Sequence, residues 1–570
     1  MGRHEARQRP EPPQSERRVG NEGEKGLDAT HGGPCSNFRE AGIPFAVRSS
    51  LWLPIAVAAA LLRCWRLSWG LFDGGWFPDE GVFSARAAAF VPLSAASFGL
   101  RADDFGYPTL YGYLSGAALA ATHGLGLLPL PIRPYAPDVI LVARCLSAAA
   151  SVATVVVVAI LGRRLYGPAV AAVAAALVAV APLSAMHAHI AATDSLVAAF
   201  VALTTLAAYA LATRGGAWRA LGAGAVAGVT FATKYTGLAF LAPVLWAVGE
   251  RARRHAVGNG VALGVAVLAG FTLVVPLACP PCVLHADRML AAMTRLHTVT
   301  EMGWPFQNNY LVPSLGWYGR PYLYQLVAGL PFGLGWPLAV VALAGVVVAL
   351  RRHELADRIV LAALLPYFLV IGSSRVTFSR YLLPLFPGLL LLAARALCDL
   401  PRAPRAALLA TVLAYSLVLA TSQVARFSTR QQREIARWIA DLQPPGSAEP
   451  LRVAVPRISP VFDYYRLAGP LGQARLTYLQ VDDGHWFDAQ PDVFVLPDFD
   501  AIAIRRDGLR WPSELDRLQS GAAGYREAAR WRSWFLQRDL YTWLDPAFAG
   551  DLWQGEIGFT VYVRQAGAGR

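Results

Sequence analysis

Val155-Val156-Val157-Val158-Ala159-Ile160-Leu161-Gly162-Arg163-Arg164 closes the stretch that decides the architecture. The apolar run that it ends begins near residue 139 and is long enough to cross a bilayer, for which about 20 residues suffice. Two arginines stop it, and basic residues beside a span mark a cytoplasmic loop. Further stretches of this kind lie near 50–68, 168–190, 194–212, 218–233, 235–249, 257–278, 322–350, 357–373, 380–398 and 405–422. With 139–161 they make eleven expected spans. The segments 218–233 and 235–249 are short and suit a tight or tilted pair.

Composition agrees with that class. Of 570 residues, 55% are hydrophobic and only 16% charged, which is too apolar for a soluble globule. The net charge of +13 comes from arginines gathered in short loops, a pattern of orientation signals and not of a nucleic-acid face. Residues 1–48 are polar, charged and rich in Pro, Gly and Arg, without a signal-peptide pattern, and read as a disordered cytoplasmic tail.

Loop charge sets the sidedness. Arg163-Arg164, Arg214 with Arg219, Arg251 with Arg253-Arg254, Arg351-Arg352 and Arg402 with Arg405 mark cytoplasmic loops. They alternate with arginine-poor loops at 191–193 and 279–321. A weaker stretch at 108–130 would break this parity if it crossed. It carries Tyr111, Tyr113, Ser115, Thr122 and His123, and reads as a juxtamembrane helix along the outer interface. The expected domains are then the tail 1–48, a transmembrane domain 49–422 with an outer loop 69–138, and an outer α/β domain 423–570. Within the last, an amphipathic helix around Glu434–Ile439 precedes Pro444-Pro445-Gly446, and strand-like runs follow at 451–455 and 492–496.

Polar residues collect on the outer face. Asp79 and Glu80, in Trp76-Phe77-Pro78-Asp79-Glu80-Gly81, are two adjacent carboxylates beside a bilayer, where charge is costly and seldom idle. Asp103-Asp104 precede Gly106-Tyr107-Pro108. His187, His189 and Asp194 lie where one span emerges and the next enters. Lys234 sits at the next outer turn, and Arg375, Arg380 and Tyr381 at a later one. Carboxylates with Lys and Arg on one membrane surface suit an anionic lipid head group and a proton-abstracting step.

Plainer roles compete. Asp194 can serve as a helix cap, Lys234 can snorkel to the interface and Arg380 can anchor there. His187 and His189 suit packing or hydrogen bonding better than ligation. Asp79, Glu80, His187 and His189 are the candidate ligands for a divalent metal, although no spacing demands one. Cys279-Pro280-Pro281-Cys282 reads first as a local disulfide in an oxidising space, with thiol exchange as the alternative, although no βαβ context surrounds it.

The order of these motifs carries a resemblance. Pro78-Asp79-Glu80, Tyr107-Pro108-Thr109-Leu110-Tyr111, Ala192-Thr193-Asp194-Ser195, Thr233-Lys234-Tyr235-Thr236-Gly237 and Ser379-Arg380-Tyr381-Leu382-Leu383-Pro384-Leu385-Phe386-Pro387 follow one another with consistent sidedness. Together they resemble the C-type membrane glycosyltransferases, above all the protein-mannosyltransferase family (family 39) with its bacterial members that glycosylate lipid A. The resemblance covers roughly residues 50–400.

It implies a polytopic helical enzyme of a bacterial inner membrane, with its active site facing the periplasm. Such an enzyme moves a sugar from a polyprenyl-phosphate carrier to a glycan, lipid or protein acceptor, with inversion. Asp79 would be the general base, with Glu80 supporting it. Asp194 would be the second acidic residue, and Lys234 and Arg380 would bind the carrier phosphate, with Tyr381 and Tyr107 beside the substrate. Gly106-Tyr107-Pro108 departs from relatives with an acidic-basic pair there, so no lipid A specificity is carried over. The competing reading is a secondary transporter or lipid flippase, which suits many apolar helices. Its charges should then sit at midplane. A third is a non-catalytic assembly protein with an outer binding domain.

Overall fold

A computed structural model describes residues 52–71, 78–91, 107–129, 131–255, 257–302, 321–374, 378–443, 449–456, 476–481, 485–498, 501, 512–532 and 558–565. The tail 1–48, Asp103-Asp104, Gly106, Arg375 and Pro444-Pro445-Gly446 lie outside them.

Proline starts several of the helices. It fits the first turn, where its missing N–H leaves no bond unmade. The chain runs through α1 (Trp52–Cys64), α2 (Pro78–Ala88), α3 (Leu110–Gly124), α4 (Pro137–Leu165), α5 (Pro168–Val180), α6 (Pro182–His187) and α7 (Thr193–Arg214). It continues through α8 (Ala217–Thr233), a 3₁₀ turn at Tyr235–Phe240, α9 (Leu241–Arg254), α10 (Val257–Ala278), α11 (Pro281–Leu284) and α12 (Ala286–Met302). Then come α13 (Pro321–Tyr324), a π-helical turn at Gln325–Gly329, α14 (Leu330–Leu334), α15 (Trp336–Arg352) and α16 (Leu355–Gly372). A 3₁₀ segment Ser379–Leu385 leads into α17 (Phe386–Cys398), followed by α18 (Arg402–Ala425) and α19 (Arg430–Asp441).

Among the described residues six helices are long and apolar enough to cross a membrane: 137–165, 193–214, 257–278, 355–372, 379–398 and 402–425. Shorter apolar helices at Trp52–Cys64 and Pro168–Val180 pack among them. The chain is a multi-pass helical membrane protein.

Two expected spans are broken. The stretch 168–190 divides at Ala181-Pro182 because Pro182 cannot donate to the preceding turn. The carbonyls freed there are taken up by Arg63 of α1, which is fully buried. Its guanidinium donates to Val178 O and Ala179 O at 2.9 Å each and to Ser151 Oγ at 2.7 Å. The stretch 322–350 divides at Gly335, whose φ of +83° suits glycine alone. A Cβ there would also stand 2.8 Å from the Tyr415 ring.

The helices give the bundle two chemically different ends. α7 has 22 residues and is about 33 Å long, close to a bilayer's hydrocarbon thickness. Asp194 lies in its first turn and Arg214 ends it. Around the Arg214 end the basic loops interlock. Glu250, buried, pairs with Arg253, Arg254 and Arg358, and Arg395 bridges Glu354 and Asp357. Arg352 meets Asp399 at 2.8 Å. The stretch 108–130 contains α3, whose 15 residues reach about 22 Å and which packs on α2 and α4. Cys279 and Cys282 form a disulfide at the end of α10.

Beyond α18 the chain turns through 426–429 into the amphipathic α19 and a five-stranded sheet. Its strands are β1 (Leu451–Pro456), β2 (Leu476–Val481), β3 (Val493–Pro497), β4 (Tyr525–Trp531) and β5 (Phe559–Arg564), in the order β2-β1-β3-β5-β4. β1 runs parallel to β2 and β3, and β5 antiparallel to β3 and β4. The helix at Pro512–Gln519 covers one face through Leu515 and Leu518, over Trp486, Phe494 and Tyr525. Trp438 of α19 meets Trp531 of β4 edge-on at 5.7 Å and ties that helix to the sheet.

Candidate active site

Asp79 lies in the first turn of α2, one residue after the proline that starts the helix. Its carboxylate is about one-third exposed, and its Oδ2 stands 3.6 Å from Nη2 of Arg380. That is an ion pair at slightly more than hydrogen-bond reach. Arg380 is carried by the 3₁₀ segment before α17, and its guanidinium lies over the Phe378 ring at 4.2 Å.

Asp194 enters from α7, where the helix N-terminus favours negative charge. Lys234 donates to Asp194 Oδ1 at 2.7 Å and stands 5.3 Å from the Tyr381 ring centre. Lys234 reaches this place because α8 ends at Thr233 and the chain folds back at once. Gly237 lies against the Thr230 carbonyl, where an added Cβ would come within 2.3 Å of the oxygen. Thus two acids and two cations from four separate elements converge at the end of the bundle opposite the interlocked basic loops.

Electrostatics sets the states of the two groups outside the spans. Burial pushes the Asp79 carboxyl above its ordinary range; Arg380 pulls it back, Asp194 pushes it up and Lys234 lowers it. Tyr107 feels first the Asp79 charge and then burial, and both raise its pKa. It is a neutral hydroxyl in the same pocket, within the field of Arg380, Tyr381 and Asp194. Its ring leans on Phe83 at 5.4 Å, and Arg86 donates to its carbonyl at 3.3 Å.

Glu80 occupies a different place from the one that the sequence assigns to it. It is fully buried and pairs two-pronged with Arg144 of α4, at 2.7 and 2.8 Å. It also accepts the Ala191 N–H at 2.8 Å. The pair holds the start of α2, the body of α4 and the turn before Asp194 together. Arg144 further donates to Leu67 O at 2.8 Å and Trp69 O at 2.6 Å. Sequence reasoning misses Arg144, although a charge inside an apolar span is itself a signal.

The four candidate metal ligands do not form a ligand set. Glu80 is held by Arg144. The His189 ring nitrogens stand 2.8 Å from Ala185 O and 2.7 Å from Trp65 O. His187 is buried within electrostatic reach of Asp194, Arg380 and Lys234. Among the described residues no three His, Cys, Asp or Glu side chains are grouped to hold a metal ion. These four residues do not fit a divalent metal site.

No curated protein matches the chain by sequence. Among solved structures it is similar to ArnT from Cupriavidus metallidurans bound to undecaprenyl phosphate. The identity is 15%, the overlap covers 91% of this chain and 99% of that one, and the TM-score is 0.47. It is also similar to the archaeal oligosaccharyltransferase AglB from Archaeoglobus fulgidus, in complex with an inhibitory peptide and a dolichol-phosphate. Here the identity is 12%, with 80% of this chain and 70% of that one covered and a TM-score of 0.49. A third is the S. cerevisiae protein O-mannosyltransferase Pmt1-Pmt2 complex bound to the sugar donor, at 18% identity over 45% of this chain and 35% of that one, with a TM-score of 0.34. Residues 137–279, which include Asp194 and Lys234, match the family described as dolichyl-phosphate-mannose-protein mannosyltransferase. That match makes this quarter of the chain, with two of the four charged site residues, similar to that family.

Proposed function

We propose that the protein moves a sugar from a polyprenyl-phosphate carrier to an acceptor hydroxyl at the periplasmic face of a bacterial inner membrane, with inversion. The observation that carries this reading is the pairing of a partly open carboxylate, Asp79, with Arg380 at 3.6 Å, beside Lys234 and Asp194. The family match over residues 137–279 supports a lipid-phosphate sugar as donor.

In this reading Asp79 removes the acceptor proton as the acceptor oxygen attacks the anomeric carbon. The bond from that carbon to the phosphate oxygen breaks, and the polyprenyl phosphate leaves with the electron pair. Arg380 and Lys234 offset the charge that grows on the phosphate. Asp194 holds Lys234 in position. Tyr107 and Tyr381 line the pocket and orient donor and acceptor. Residues 69–138 and 423–570 lie outside in this reading, and 1–48 inside. A transporter or flippase finds less support, because the acids and cations sit at one end of the bundle and not at its middle.

Purified protein incubated with a polyprenyl-phosphate donor carrying a labelled sugar tests the proposal. The expected result is release of free polyprenyl phosphate and movement of label to an acceptor. Unchanged donor with an envelope extract supplied as acceptor would overturn it.

A further inference from the structure

α18 ends at Ala425, and α19, which carries the sheet, begins at Arg430. Between them Phe427 is 1% exposed, although it lies in a turn. Its ring stacks on His189 at 5.0 Å with 15° between the planes, and meets the Trp69 ring at 4.9 Å.

Both partners belong to the frame under the candidate site. Trp69 donates from Nε1 to the His189 carbonyl at 3.2 Å. The Arg144 guanidinium lies over the Trp69 ring at 4.4 Å and bonds its carbonyl. Arg144 grips Glu80, and Glu80 holds the Ala191 N–H. Asp79 is the residue before Glu80, and Asp194 follows Ala191 by three. A second tie runs alongside: Arg66 donates to the Ala425 carbonyl at 2.6 Å.

We propose that Phe427 is a positioning residue for the two acids, acting through His189, Trp69 and the Arg144–Glu80 pair, and that it couples the C-terminal sheet unit to the site. The proposal rests on the glycosyl-transfer reading for its kinetic consequence. A flat ring in contact with both the His189 imidazole and the Trp69 indole braces the turn 188–192. The aromatic contacts are of the close, offset kind that hold geometry as well as bury area. Without the ring, the turn before Asp194 keeps its bonds to Glu80, Trp69, Trp65 and Ser147 but loses the ring stacked on His189. Reactions that depend on two placed groups lose rate steeply when one moves by about 1 Å, by as much as about 100-fold.

The experiment compares Phe427→Ala with Leu419→Ala in the full-length protein. Leu419 is equally buried two turns earlier in α18, beside Gly335, so its variant controls for loosening of that helix. Amide hydrogen exchange of the peptide covering residues 188–193 is read first, because it does not depend on catalysis. Phe427→Ala should lose protection at Ala191, and Leu419→Ala should keep it. Turnover at saturating donor should fall about 10- to 100-fold in Phe427→Ala, with donor KM changed less than threefold. Phe427→Leu should restore part of both. Equal exchange and equal turnover in the two alanine variants would overturn the proposal. If wild-type protein moved no sugar at all, the functional reading would fail, and the exchange result would still decide whether Phe427 holds the frame.

Discussion

Adjacent in sequence, Asp79 and Glu80 point to separate environments: Glu80 is sealed against Arg144, whereas Asp79 stands partly open 3.6 Å from Arg380. One carboxylate builds the floor of the site and the other faces its opening. In the proposed reading the doublet divides into a structural acid and a chemical one, and the two positions should respond differently to the same substitution.

The Glu80–Arg144 pair is fully buried, so removing either partner leaves a charge without compensation. Such losses cost about 3–5 kcal/mol. Arg144→Ala and Glu80→Ala should lower the thermal midpoint in detergent and reduce membrane yield, whereas Asp79→Ala should do neither. Arg144→Lys should recover only part of the loss, because a lysine cannot replace the two-pronged bond. Similar midpoints for Arg144→Ala and wild type would contradict this structural role.

Asp79→Asn should abolish sugar transfer, by at least about 100-fold, while expression and donor binding persist. The amide keeps the shape and cannot take a proton. The pH dependence follows from the same group. Asp79 must be ionised to act, and burial raises its pKa above the ordinary 3.8. Activity should fall on the acid side, with a midpoint above that of a free aspartate. Arg380 opposes the rise, so Arg380→Ala should move the midpoint to still higher pH. A profile flat down to pH 4, or a midpoint that moves down in Arg380→Ala, would remove Asp79 from the role of base.

Much of the helical order was legible because apolar runs and arginine-marked loops repeat on the length scale of a bilayer. Tyr107, Asp194, Lys234, Arg380 and Tyr381 stood out for a related reason: each lies at a helix end on the same side as Asp79. What was hidden was pairing across distance. Arg144 and Glu80 are 64 residues apart, and Arg63 reaches carbonyls 115 and 116 residues away. Each arginine sits inside an apolar run, where hydropathy averages it away. The break at Gly335 depends on a backbone angle, and Phe427 depends on the face that a turn presents. Neither leaves a periodic trace.

Sidedness can be measured directly. Tyr135 is 52% exposed, and Arg164 and Glu527 are exposed as well. In a background without other reactive cysteines, Tyr135→Cys and Glu527→Cys should label with an impermeant maleimide on intact spheroplasts. Arg164→Cys should label only after lysis. Labelling of Arg164→Cys in intact cells together with protection of Tyr135→Cys would invert the proposed orientation.

Arg380 and Lys234 should act on the leaving phosphate more than on the resting donor. Lys234 already has Asp194 at 2.7 Å, which fixes where its charge lies, while Arg380 lies over the Phe378 ring and faces Asp79 across a slightly longer gap. A guanidinium offers a fork of donors that matches phosphate oxygens, and an ammonium adds a point charge. Charge on the phosphate grows as the bond to the sugar breaks, so in the proposed reading these cations should stabilise the transition state more than the bound donor. Arg380→Ala should therefore lower the rate at saturating donor by roughly 10²–10³-fold, with a smaller loss in donor affinity. Arg380→Lys should recover part of the rate, since the charge returns without the fork. Arg402, exposed at the first residue of α18, provides the control at the opposite end. Steady-state kinetics with a water-soluble short-chain donor would separate the two parameters. If Arg380→Ala and Arg402→Ala behaved alike, the phosphate site would lie elsewhere, and Arg380 would be an interfacial anchor.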